Sequence, residues 1–120
     1  MTRRAATSVV RASAAERCLT GVLLLGIPDT ITRLVAGDQP QPPRWLVRIL
    51  GGRLLAQGVL EYTRPRRSVI VAGAAVDTAH TATMIAAAAL LPAHRRTALA
   101  SAAEAILSGA LTVSVARQLR

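Results

Sequence analysis

The stretch Thr97–Ala116, TALASAAEAILSGALTVSVA, decides how the rest of the chain is read. Its polar residues Thr97, Ser101, Glu104, Ser108 and Thr112 stand four, three, four and four positions apart. At about 100° per residue these five cover roughly 80° of a helical wheel. Nearly everything else in the stretch is Ala, Leu, Ile, Val or Gly. A helix on the surface of a soluble bundle has the opposite proportions, a limited apolar stripe and a broad charged face. A narrow polar stripe on an otherwise apolar helix is expected to point inward, away from lipid.

Working outward, three more apolar segments precede this one, at about 14–36, 45–62 and 68–91. With the fourth at about 97–116, each is near the ~20 residues that a helix needs to cross ~30 Å of hydrocarbon. The breaks between them are sharp. Gly37–Pro43 places Pro40, Pro42 and Pro43 within four residues and cannot be helical. Thr63–Arg67 and Pro92–Arg96 are short charged turns, each containing a proline. Strand-like alternation is absent and Ala dominates. The expected fold class is all-α, an up-down four-helix transmembrane bundle forming a single domain over 1–120, with residues 1–13 as a basic tail. Pro28 interrupts the first segment. Either the helix stops near Ile27 and Thr30–Ala36 is a short interfacial piece, or it continues, kinked, to Ala36, the reading preferred here; Asp29 and Arg33, four apart, can pair on its surface.

Composition agrees with lipid as the solvent. Of 120 residues 52% are apolar, yet Phe is absent and Trp45 and Tyr62 are the only aromatic residues. These two bracket the second segment, as interfacial aromatics do. All 15 basic residues are Arg, a usage that points to a GC-rich, actinobacterial genome. The formal charge of +9 raises nucleic acid as a partner. The arginines, however, cluster at segment ends rather than along one helical face, and no aromatic residues alternate with them to stack bases. No nucleic-acid partner is expected. The partners expected are the lipid bilayer and a second copy of the chain or a larger membrane complex. With the amino terminus in the cytoplasm, Arg3, Arg4, Arg11, Arg17, Arg64, Arg66, Arg67, Arg117 and Arg120 lie inside. Arg33, Arg44, Arg95 and Arg96 lie outside, nine against four. The positive-inside bias therefore predicts a multi-pass plasma-membrane protein with both termini cytoplasmic.

The costly residues are those in the middle of the segments. Arg53, Gln57 and Glu61 fall four apart on one face of the second. Asp77 and His80 share a side of the third, and Glu104 sits on the stripe of the fourth. Arg53, Gln57, Asp77, His80 and Glu104 are thus the candidate buried polar cluster. Arg53 neutralises Asp77 or Glu104, and the cluster is either structural or a ligand or proton site. Glu16 adjoins Arg17 and is read as half of an interfacial ion pair. Asp77 and His80 have helical spacing but no third ligand, so no metal is expected. No nucleophile elbow accompanies Ser101 or Ser108, so no catalytic residue and no enzymatic activity are expected. No cofactor motif is present, since Gly51, Gly52 and Gly58 lie inside an apolar helix, where glycines serve close helix contact.

Arg48, Gly51, Arg53 and Gly58 form an R-x-x-G-x-R-x-x-x-x-G pattern that follows the proline-broken first helix. This arrangement resembles a group of small four-helix bacterial membrane proteins of unknown function. The resemblance covers most of the chain and implies the topology, not an activity. Three functional classes follow. The first is a non-enzymatic accessory or interaction subunit of the membrane. The second is a small dimeric proton-coupled exporter, similar in size to the small multidrug-resistance transporters, with Glu16 as its coupling carboxylate. The third is a soluble Ala-rich helical bundle.

Overall fold

A computed structural model describes residues 1–119. The protein is all-helical, with no strand among the described residues. Helix α1 runs Arg3–Gly26, α2 Pro28–Ala36, α3 Arg44–Thr63, α4 Arg67–Leu90 and α5 Arg95–Ala116, with a 3₁₀ turn at Pro92–His94 before α5.

Two boundaries differ from the sequence reading. The stretch 1–13 is not a tail. Thr2 caps α1 by accepting a hydrogen bond from the Ala5 amide at 3.2 Å, and Ala6, Val10 and Ser13 are buried. An apolar face running Ala6–Val10–Ala14 lies inside this Arg- and Ser-rich stretch. The first helix also does not continue, kinked, to Ala36. It stops at Gly26, and α2 leaves at 103° with Pro28 in its first turn. Proline is well placed there because the first amides of a helix have no intrahelical acceptor. Ile27, at φ −131° and ψ 55°, is the corner. Asp29 then pairs with Arg44 at the start of α3, not with Arg33; the Arg44 Nε bond is 3.2 Å. Gly37 ends α2 at φ +59°, a left-handed conformation that favours glycine.

The four long helices form two antiparallel pairs, α1 with α3 and α4 with α5, and α1 and α5 join the pairs through the interior. The α1–α3 contact is made at backbone distance. A β-carbon at Gly58 would stand 2.7 Å from the Ala14 carbonyl oxygen, and one at Gly21 would stand 2.7 Å from the Gly51 carbonyl oxygen. Ala14 and Gly21 are seven residues apart, as are Gly51 and Gly58 in the opposite direction, which fixes the antiparallel register. Small residues at such positions let two helices approach until their backbones touch.

The larger buried apolar side chains fall into two clusters. Ala6, Val10, Ile70, Val115, Ala116 and Leu119 form one cluster, and Leu24, Val47 and Leu54 form the other. The large apolar side chains are mostly outside. Leu90 is 78% exposed, Leu107 72%, and Ile49 61%. Helix α4 and the segment Pro92–Ala116 are each long and apolar enough to cross a membrane. The sharply bent α1–α2 pair meets that test only when its two parts are taken together. Helix α3, with Arg44, Arg48, Arg53 and Glu61 in twenty residues, does not.

Candidate functional site

Between the two apolar clusters the interior is charged. Its centre is Arg17, fully buried on α1. Positions 10, 14, 17, 21 and 24 of α1 share the inward face, so the helix that buries Val10 and Leu24 carries Arg17 in with them. The guanidinium meets Asp77 of α4 end-on, through its two terminal nitrogens. Nη2 donates to Oδ2 at 2.6 Å and Nη1 to Oδ1 at 3.1 Å. This is the two-pronged geometry that suits an arginine and a carboxylate, and charge assistance makes it among the stronger hydrogen-bonded pairs. The Nε atom of the same arginine faces Glu61 Oε2 of α3 at 3.5 Å. One arginine thereby ties three helices.

Gln57 completes the arrangement. Its amide donates to Glu61 Oε1 at 2.9 Å and reaches Asp77 Oδ2 at 3.4 Å. Gly73 on α4 makes room for it, since a β-carbon there would stand 2.5 Å from Glu61 Oε1. Asp77 and Glu61 are 2% and 1% exposed. Each polar side chain removed from water this completely needs a partner, because an orphaned one costs several kcal/mol. Beside the network, Ser13 and Ser108 bond across α1 and α5 at 3.1 Å, and Thr112 turns back to the Ser108 carbonyl at 3.0 Å. The polar stripe of α5 thus faces inward at Ser108 and Thr112, both buried.

The five residues singled out from the sequence fall into two sets. Gln57 and Asp77 lie in the central network. Arg53 stands at its edge, with Nη1 3.5 Å from Asp77 Oδ1 and its side chain 24% exposed. Its guanidinium nitrogens have no hydrogen-bond acceptor. His80 bonds to Ser101 of α5 at 2.7 Å, and Glu104 Oε1 is buried with no hydrogen-bond partner. Among the described residues no cation lies within 4 Å of the Glu104 carboxylate.

Two members of the site were missed, Arg17 and Glu61. Glu61 was already on the stripe with Arg53 and Gln57, four residues on. Arg17 was grouped with the amino-terminal arginines as an interfacial residue. Its signal was the stripe Ser13–Arg17–Gly21, small and polar residues at helical spacing. Of the two partners expected for Arg53, Asp77 and Glu104, it approaches Asp77, at 3.5 Å, while Arg17 stands closer to the same carboxylate, at 2.6 Å. Glu16 does not pair with Arg17; it is exposed and accepts a hydrogen bond from Thr20 at 2.9 Å.

Arg53, His80, Ser101 and Glu104 meet at the inner end of a crevice of 590 Å³. The crevice lies where α3 and α4 stand apart, with α1 and α5 behind it and α2 and Pro42–Pro43 across its end. Its walls are otherwise mainly apolar, including Leu46, Ile49, Leu50, Met84 and Ala87, with Thr20, Thr32, Thr83, His94 and Thr97 also on the lining. No family model matches this sequence, and comparison with curated proteins and with solved structures finds no similar chain.

Proposed function

We propose that the chain is an integral membrane protein in which α1, α3, α4 and α5 all cross the bilayer, working as a non-enzymatic accessory or interaction subunit. The observation that carries this reading is the inverted distribution of polarity. Arg17, Glu61 and Asp77 are buried while Leu90, Leu107 and Ile49 are exposed. Water as solvent would penalise both halves of that arrangement. In lipid both are favourable, since exposed apolar side chains meet hydrocarbon and charges pair inside. The long dimension of 45 Å matches a bilayer with its headgroup layers, ~40–45 Å. Helix α2, turned by 103°, lies across the end of the bundle, where a headgroup layer would hold it. Helix α3 is too charged to insert alone, but its charges Arg53 and Glu61 face Asp77 and Arg17 of its neighbours. Taking Arg17 out of the nine inner arginines leaves eight against four, a bias that still favours cytoplasmic termini.

Cysteine labelling tests the number of spans. In a Cys18→Ser background, single cysteines replace Thr2, Gln39, Pro65 and Ala93. Four spans require positions 39 and 93 to react with a membrane-impermeant maleimide in intact cells, and positions 2 and 65 to react only after lysis. Positions 39 and 65 on the same side would remove α3 and leave three spans, position 2 on that side as well would leave two, and release of the protein by alkaline carbonate would remove the membrane reading altogether.

A further inference from the structure

The charged interior does not balance. Arg17 and Arg53 bring two positive charges, and Glu61, Asp77 and Glu104 bring three negative ones. The two arginines are committed within 3.5 Å to Glu61 and Asp77, which leaves Glu104 as the odd carboxylate. Rotamer changes among the five do not alter the count. Charges near Glu104 come from Arg17 and Glu16 of α1, Arg53 of α3 and Asp77 of α4. Of these, Glu16 deepens the excess. An unbalanced charge in a low-dielectric interior is costly enough that something neutralises it. A proton on a carboxyl or on His80 is one solution. A bound cation is the other, and the crevice provides a way in.

We infer that the crevice between α3 and α4 binds an apolar organic monocation, with the Glu104 carboxylate as its counter-ion. Three observations converge on this occupant. Glu104 ends the crevice with an oxygen that has no partner. The walls are mainly apolar, so a bare metal ion would lose its hydration without oxygen ligands to replace it, whereas a cation carrying hydrocarbon fits. The volume of 590 Å³ lies within the range of small-molecule sites, ~300–1,000 Å³. Arg53 also lines the crevice, with guanidinium nitrogens that have no acceptor, but it already stands 3.5 Å from Asp77 and an anion beside it would enlarge the negative excess. The inference goes beyond the proposed function and holds for any number of spans.

Tetraphenylphosphonium and tetraphenylborate make the test direct, since they share size and shape and differ in the sign of charge. Binding is measured by equilibrium dialysis on the full chain in lipid nanodiscs, after subtraction of empty discs. The phosphonium should bind at least tenfold more tightly than the borate. Glu104→Gln should remove at least tenfold of the phosphonium affinity and erase the preference. Ala87→Trp fills the crevice and touches no charge, and should weaken phosphonium binding in a protein whose Arg17–Asp77 pair is intact. Thermal unfolding of both variants verifies that they are folded. Equal affinity for the two ions, tighter binding of the borate, or no protein-dependent binding of the phosphonium would overturn the inference. So would undiminished phosphonium binding by folded Glu104→Gln or by folded Ala87→Trp.

Discussion

Helix α3 meets its two neighbours in opposite ways. Toward α1 it presents Gly51 and Gly58, and the backbones touch. Toward α4 it presents Arg53, Gln57 and Glu61, and the helices stay apart around a charged network and a crevice. The two seams lie on one helix and differ only in side-chain length and polarity. The first seam sets where the helices are, through steric contact with little tolerance. The second sets what they hold, through charges that must be paired wherever the first seam leaves them.

The largest way to break this contrast is at Arg17, which the tight seam delivers to the open one. Arg17→Ala strands Asp77 and Glu61 in the interior, and removing one partner of a buried pair costs about 3–5 kcal/mol. Chemical unfolding in detergent should show that loss, and a smaller one for Arg53→Ala, because Arg53 is partly exposed and only approaches Asp77. Equal losses for the two variants would mean that the network has no single centre.

Next in size is the glycine seam itself. Gly58→Ala forces a methyl group to within 2.7 Å of the Ala14 carbonyl and Cys18 Sγ. Overpacking of this kind costs roughly 1–3 kcal/mol. Gly52, one residue from the seam, has no heavy atom within 4 Å of its would-be β-carbon. Gly52→Ala should therefore be neutral or gain up to ~1 kcal/mol of helix propensity. Thermal midpoints of the pair measure how much of the α1–α3 contact is steric; equal midpoints would dissolve the distinction between the two seams.

A smaller effect is expected on the crevice side. His80→Leu removes the bond to Ser101, but a serine hydroxyl has its own helix carbonyls to turn to. The loss should be of the order of one neutral hydrogen bond, about 0.5–1.5 kcal/mol. A loss as large as that of Arg17→Ala would place His80 in the central network.

The smallest effect belongs to the exposed end, where Arg44 holds Asp29. Hydrogen bonding to Arg44 keeps the Asp29 carboxylate below its ordinary range. A carboxylate with a depressed value contributes stability that is present above its unfolded-state value and is lost as pH falls through the folded one. Proteolysis within Gly37–Pro43 should therefore quicken only at acid pH below the usual carboxylate range, and Asp29→Asn should show the fast rate throughout. Solvent screening keeps this pair weak, so the core melting temperature should not follow.

The comparison also separates what is local from what is not. The four long helices, the proline breaks and the inward stripe of α5 were legible, because helical period and proline chemistry act over a few residues. Gln57, Asp77 and Glu104 were legible as costly polar residues for the same reason. The start of α1 at Arg3 was obscured by its arginines, and the turn at Pro28 was legible as an interruption but not as a 103° corner. A proline removes a hydrogen bond, but where the chain goes next depends on what α2 packs against, which here is α3 and α5.

The sequence by itself determined that this chain is helical and that its charges must find one another. It did not determine which pairs form. Arg17 and Asp77 are 60 residues apart and Arg17 and Glu61 are 44 apart, so their meeting depends on the relative positions of three helices. The α1–α3 part of that register comes from Ala14, Gly21, Gly51 and Gly58, where two backbones touch because large side chains are missing. Helical periodicity says which face an arginine occupies; only the packed structure decides which of the fifteen arginines stands at the depth of Asp77.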